Sequence, residues 1–170
     1  HTLNFQVINP FTGKPCRATL LGFLDWKSGG LVGYDIMLEE CTQNIASALR
    51  NAILKMDHIP EYVYQDNGRA FKSKFFNGDK KFEELGFTGV YNKLGIKPVY
   101  ATPYNARAKV IERFFLDFQE NFEKLIPSYI GTSIENKPAY LMRNEKLNKN
   151  IHEKFGFTPN IEEALKMIEK

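Results

Sequence analysis

The chain opens on an alternation of apolar Leu3, Phe5 and Val7 with polar Asn4 and Gln6. That is the period-2 pattern of a half-buried strand, which we assign to Thr2 to Ile8. Asn9-Pro10-Phe11-Thr12-Gly13-Lys14-Pro15 supplies turn chemistry before a long apolar run, Ala18 to Trp26, so a hairpin with a central second strand is expected. Lys27-Ser28-Gly29-Gly30 is a second turn and Leu31 to Leu38 a third strand, completing an antiparallel meander. From Thr42 the period changes. Ile45, Leu49, Ala52, Ile53 and Met56 recur at helical spacing, with Thr42 placed to cap the helix and Asp57-His58-Ile59-Pro60 to end it. Tyr62-Val63-Tyr64 then reads as a short strand. A helix between the third and fourth strands implies a crossover and therefore a mixed α/β sheet.

Residues 67–87 mix Gly, Lys, Phe and Asn without a clear period and read as a loop with short helical turns. Thr88 to Leu94 predicts a helix capped by Gly95, and Lys97 to Thr102 a fifth strand. After the loop Pro103-Tyr104-Asn105-Ala106-Arg107, the positions Ile111, Phe115, Phe118, Phe122 and Leu125 mark an amphipathic helix stopped by Pro127. The order is βββαβαβα. Ser128 to Phe157 is polar and weakly patterned, and Thr158-Pro159 begins a last helix running through Ile168. No internal repeat is visible.

A chain of 170 residues is long enough for one domain with a sizeable core plus a tail. No apolar run approaches the roughly 18 residues of a membrane span, and His1-Thr2-Leu3-Asn4 lacks the basic and apolar regions of a signal peptide. Cys16 and Cys41 have neither CxxC spacing nor a histidine cluster, which argues against a zinc site or a disulfide framework. A reducing cytoplasm is the expected setting, with no membrane partner. The net charge of +3 is unevenly spread: residues 1–65 carry 5 basic and 6 acidic side chains, residues 114–170 carry 8 and 9, and residues 66–113 carry 10 and 5. The middle segment holds the positive excess, which suits an anionic substrate, although a solvated lysine face has the same composition.

That basic segment begins at Asp66 and closes at Glu112 and Arg113. Asp66 follows directly on a predicted strand and precedes Asn67-Gly68, so it projects from a strand end, where sites of α/β sheets lie. Asp-Asn-Gly is also ordinary turn chemistry. Glu112 falls in the first turns of the amphipathic helix, flanked by Lys109 and Arg113, where the helix dipole alone favours an acid. Taken together, two carboxylates separated by a basic stretch have the oxygen chemistry that a hard divalent cation prefers for phosphoryl transfer.

Two stretches carry a family resemblance. Ile59-Pro60-Glu61-Tyr62-Val63-Tyr64-Gln65-Asp66-Asn67-Gly68 resembles the second-aspartate motif of integrase and transposase catalytic cores. The run from Leu94-Gly95-Ile96-Lys97-Pro98 through Pro103-Tyr104-Asn105 to Ile111-Glu112-Arg113 resembles their glutamate motif. Leu24-Asp25-Trp26-Lys27-Ser28-Gly29-Gly30-Leu31-Val32-Gly33 is similar to the family's second-strand turn, and Tyr129-Ile130-Gly131 to a segment beyond the glutamate helix of Mu-type transposases. The chain thus resembles the DDE-type cores of the retroviral-integrase superfamily, Mu-type transposases above all, over roughly residues 1–131, with 132–170 as a C-terminal extension ending in a helix.

The resemblance implies an RNase H-like fold, a five-stranded mixed sheet with helices on both faces. It implies a DNA transposase core that makes metal-dependent strand cleavage and strand transfer during transposition. Asp66 and Glu112 would be two of three catalytic, metal-binding carboxylates. The complete site would hold two magnesium ions, with manganese able to substitute. His1-Thr2-Leu3-Asn4-Phe5 resembles the stretch that follows the family's first aspartate, so that acid is expected just before His1. Asp25 is read instead as stabilising its turn. Asn67, Gly68, Tyr104, Asn105, Arg107 and Lys109 are candidate DNA contacts beside the carboxylates, and Lys72 and Lys74 candidate steering charges. Such phosphate contacts position a duplex without reading its sequence. The implied partners are DNA, both element ends and target, further copies of the chain in an active oligomer, and an accessory ATPase. Two rivals stand beside this reading: a catalytically inactive DNA-binding or assembly module of a degenerate mobile element, and a structure-specific nuclease of the same fold. His58 and His152 are expected on the surface and Trp26 in the core.

Overall fold

The structure, a computed structural model, describes residues 1–79, 86, 88–101, 109–126, 128–131 and 158–169. Its elements are β1 (Thr2–Ile8), β2 (Pro15–Leu24), β3 (Leu31–Met37), α1 (Thr42–Met56), β4 (Tyr62–Gln65), the one-turn helix α2 (Lys74–Asn77), α3 (Gly89–Leu94), β5 (Lys97–Tyr100), α4 (Lys109–Asn121), a 3-10 turn (Glu123–Leu125) and α5 (Ile161–Glu169). This is a mixed α/β chain, in the element order that periodicity predicts. The strands hydrogen-bond as an antiparallel sheet β1-β2-β3 and a separate parallel pair β4-β5. One five-stranded sheet, the expected arrangement, is not formed among the described residues. The chain divides into two compact units, one of residues 1–20, 36–39 and 112–170, the other of residues 21–35 and 40–111.

In the first unit β1 explains much of what the pattern left open. Leu3, Phe5 and Val7 are buried as the alternation requires, yet Asn4 is buried too. Its Nδ2 donates to Glu123 Oε2 at 2.6 Å and its backbone N–H to Glu123 Oε1 at 3.3 Å. The edge of β1 away from β2 is taken by distant chain: Gln6 N–H donates to Ser128 O, Ile130 N–H to Asn4 O and Ile8 N–H to Pro159 O. Phe5, Phe118 and Phe122 form a ring cluster, so the aromatic stripe of α4 lies on β1. The stripe ends sooner than expected. Beyond Asn121 the chain tightens into the 3-10 turn, whose three-residue period swings Glu123 inward and leaves Leu125 78% exposed. The last helix begins at Ile161 rather than Pro159, behind a reciprocal capping box in which Asn160 Oδ1 accepts from Glu163 N–H and Glu163 Oε2 from Asn160 N–H.

The second unit is built around Ile45, Leu49, Val63, Phe76, Tyr91 and Ile96. Helix α1 lies so close to β3 that a Cβ on Gly33 would stand 2.2 Å from Ala48 O and 2.6 Å from Ala52 Cβ. The N-cap of α1 is Cys41, not Thr42, and it makes no side-chain cap bond. Asp57 closes the helix in the left-handed conformation (φ 55°), a geometry that a short polar side chain tolerates better than a bulky one. Gly95 closes α3 in the same way, as the sequence predicts, with φ 71°. Trp26 lies beyond the end of β2 and is 55% exposed, contrary to its expected place in the core. His58 is exposed, with Nδ1 2.7 Å from Met56 O. His152 lies outside the described residues.

Candidate functional site

The parallel pair sets the stage. Tyr62 aligns with Lys97, Val63 with Pro98, Tyr64 with Val99 and Gln65 with Tyr100, so both strands end at the same edge. Ala101 N–H extends the ladder by donating to Gln65 O at 2.9 Å. Asp66 therefore leaves β4 beside the point where the chain leaves β5 toward the Pro103-Tyr104-Asn105 motif. Asn67 Nδ2 donates to Ala101 O and ties the two exits together. Parallel strands put the loops that follow them side by side, which is why sites gather at carboxyl ends of such sheets.

Asp66 is exposed at this edge, and its Oδ1 accepts the Asn67 N–H at 2.6 Å, a contact that orients the carboxylate. Gly68 sits in a close-fitting place: a Cβ there would meet Glu40 Oε1 at 3.0 Å and the Phe71 ring at 3.3 Å. Behind Asp66 the strand is held from below. Gln65 is buried and its Oε1 accepts from Tyr91 Oη at 2.6 Å. Burial, with a smaller contribution from nearby Tyr100, holds the Tyr91 phenol well above its ordinary range, so it stays a donor. Gln65 Nε2 has no hydrogen-bond partner among the described residues.

The candidate DNA contacts separate into groups. Lys72 is exposed, with Nζ 5.3 Å from the centroid of the Tyr100 ring, and Tyr100 Oη donates to Asn77 Oδ1 at 2.6 Å. Lys74 is paired with Asp79 at 2.6 Å, which neutralises part of the steering charge assigned to it. Glu112 stands in the first turn of α4 and is exposed. It belongs to the first unit and Asp66 to the second. Lys109 is the first residue of α4. Tyr104, Asn105 and Arg107 lie outside the described residues. Among the described residues no cluster of three His, Cys, Asp or Glu side chains could hold a metal ion. The donor at hand, an exposed carboxylate at a strand end, has the chemistry that magnesium accepts.

Asp25 serves its turn. Its Oδ2 accepts the Ser28 N–H at 2.9 Å, and its backbone N–H and C=O bond Gly30 O and Gly29 N–H. The Ser28 hydrogen bonds, backbone first and then side chain, hold the Asp25 carboxyl below its ordinary range. Glu40, the Tyr91–Gln65 bond and the Trp26–Tyr64 contact escaped sequence reasoning. Only Trp26 left a signal, as the last residue of its apolar run, immediately before the turn residues Lys27-Ser28-Gly29-Gly30.

No family model matches the chain, and no curated protein matches it. Among solved structures it is similar to a chain of the simian T-cell lymphotropic virus intasome in complex with PP2A regulatory subunit B56 gamma, at 17% sequence identity and a TM-score of 0.45. The match covers 83% of this chain and 50% of that one, so the chain spans about half the length of its neighbour. Among the described residues no helix is long and apolar enough to cross a membrane.

Proposed function

We propose that the protein is the catalytic core of a DDE-type DNA transposase, an RNase H-like domain over residues 1–131 followed by a C-terminal extension, that cleaves and joins DNA strands. The observation that supports this most is the shared edge of β4 and β5. The two motifs that resemble the family, one ending at Asp66-Asn67-Gly68 and the other running on from Ala101, leave the sheet side by side, stitched by the Asn67–Ala101 bond. Asp66 and Glu112 would hold magnesium, or manganese in its place. The metal, when bound, supplies Lewis-acid activation of a hydroxyl and stabilisation of the leaving oxygen in an in-line displacement at phosphorus. The chain's own part is positional. The Gln65–Tyr91 bond fixes the end of β4, Asn67 anchors the following loop, and Lys72, Lys74, Arg107 and Lys109 contact the phosphate backbone. DNA, as element ends and target, and further copies of the chain are the partners in this reading.

The test is strand cleavage of an element-end duplex by the full-length protein carrying Asp66→Asn or Glu112→Gln. Each change removes a negative oxygen donor at nearly constant volume, so cleavage should fall by three orders of magnitude or more, on the order of 4 kcal/mol of transition-state stabilisation. Circular dichroism should stay unchanged. Cleavage within about threefold of the parent for either variant would remove that residue from the site. Charge reversal at Lys72 and Lys109 should weaken binding to unrelated sequences alike and lower the salt slope by about 1 for each phosphate no longer neutralised.

A further inference from the structure

The outer face of the parallel pair is unlike the rest of the second unit. Partners in the ladder share a face, so Tyr62, Tyr64, Lys97 and Val99 lie together while Val63 and Gln65 are buried on the other side. On this face Tyr62 is 57% and Val99 41% exposed. Lys97 Nζ lies 5.1 Å from the Tyr62 ring centroid. Trp26, delivered by the 25–30 turn, packs on Tyr64 with ring centroids 5.6 Å apart and planes at 47°. More than half of the largest aromatic side chain in the protein is thus left in water, on a hydrogen-bonded turn and backed by a second ring.

The exposed ring pair favours a planar ligand. Lys27 is exposed next to Trp26, and Lys97 lies across the same face. Asp25 and Glu61, the latter 3.4 Å from Lys97, offset these two charges, so the face is near neutral and a cation is available only as a local contact. A self-association surface is the poorer fit. Trp26, Tyr62, Lys97 and Val99 are a handful of side chains, against the roughly 20–30 residues a side of a stable protein interface. A single base needs only one or two rings and a cation nearby. Location adds to the case, because Tyr64 precedes Asp66 by two residues, about 7 Å of strand.

We infer that Trp26, backed by Tyr64 and flanked by Lys27 and Lys97, is a stacking platform for an unpaired DNA base next to the phosphate handled at Asp66. This rests on the reading of the protein as one that acts on DNA. Stacking tolerates any base, so the platform holds a displaced or frayed strand in place without selecting its sequence.

Trp26 is the only tryptophan in the chain, so its emission, excited selectively over that of the tyrosines, reports on the platform alone. The protein is titrated with a single-stranded thymidine oligonucleotide, following tryptophan emission, and in parallel with the same strand carrying a fluorescein label, following anisotropy. Binding should quench emission, because the base stacks directly on the indole. Trp26→Ala should weaken single-strand affinity roughly 5- to 140-fold, the span expected for loss of one base–aromatic stack. Trp26→Phe should recover most of that loss, and a blunt duplex of the same length should be far less affected. If anisotropy reports binding while emission and the affinity of Trp26→Ala stay unchanged, the platform is refuted and the DNA reading survives. If neither strand nor duplex changes the anisotropy, both fall together. A blue shift of emission that grows with protein concentration in the absence of DNA would make this face an interface between copies and overturn the platform.

Discussion

Replacing Tyr91 by Phe isolates the support beneath Asp66. The phenol is buried, stacked on Phe76 with ring centroids 5.0 Å apart, and its Oη donates to Gln65 Oε1 at 2.6 Å. Phe keeps the ring and its packing and deletes one oxygen. The hydrogen bond itself contributes about 1 kcal/mol net, but Gln65 would then be buried with neither end of its carboxamide partnered among the described residues, a penalty of about 1–3 kcal/mol. Relief from burying the hydroxyl offsets part of this, so we expect a loss of about 2 kcal/mol. For a chain of this size that lowers Tm by roughly 4–8 °C. The control is Gln65→Met, which removes the other partner at similar volume, and the double variant, which removes both. Because the cost lies in leaving one partner stranded, the double variant should be less destabilised than the sum of the singles, with a coupling of about 1 kcal/mol or more. Urea unfolding followed by far-UV circular dichroism measures all four proteins. Stability of Tyr91→Phe within about 0.3 kcal/mol of the parent, or strict additivity in the cycle, would refute the reasoning. Since Gln65 is the residue before Asp66, Tyr91→Phe should also lower cleavage more than DNA binding.

Gly33→Ala places a methyl 2.2 Å from the Ala48 carbonyl oxygen, backbone that cannot rotate away, so α1 must retreat from β3 at a cost of about 3 kcal/mol; Gly30→Ala, which meets only Ser28 Oγ at 3.3 Å, should be near neutral in the same urea experiment. The Asp25 carboxyl titrates below its ordinary 3.8 in the folded chain, so its contribution to the 25–30 turn is complete above that value and is lost as pH falls through the lower folded one; the chemical shift of the Ser28 amide proton, followed by NMR, should titrate with a midpoint below 3.8, and in Asp25→Asn that titration should be absent.

Much of the chain was legible because helix and strand periods are written in neighbours. The alternation of Leu3, Phe5 and Val7 and the helical spacing from Ile45 to Met56 depend on residues within a few positions of one another, and both elements appear where that spacing puts them. Gly95 was readable for the same reason, since a left-handed cap is a local demand. Asp66 could be named as a candidate because strand end and turn are adjacent in sequence; what lies around it could not. The buried status of Asn4 depends on Glu123, 119 residues away, and that of Glu123 on a change from 3.6- to three-residue winding that no periodicity announces. Which chain covers the free edge of β1 is likewise decided by segments more than a hundred residues on. Trp26 illustrates the limit most directly. Its apolar run predicted a core position, and only the end of β2 at Leu24, two residues short of it, turned the ring out onto Tyr64. Burial is a property of where distant elements pack, and a side chain's own hydrophobicity supplies the driving force without choosing the partner.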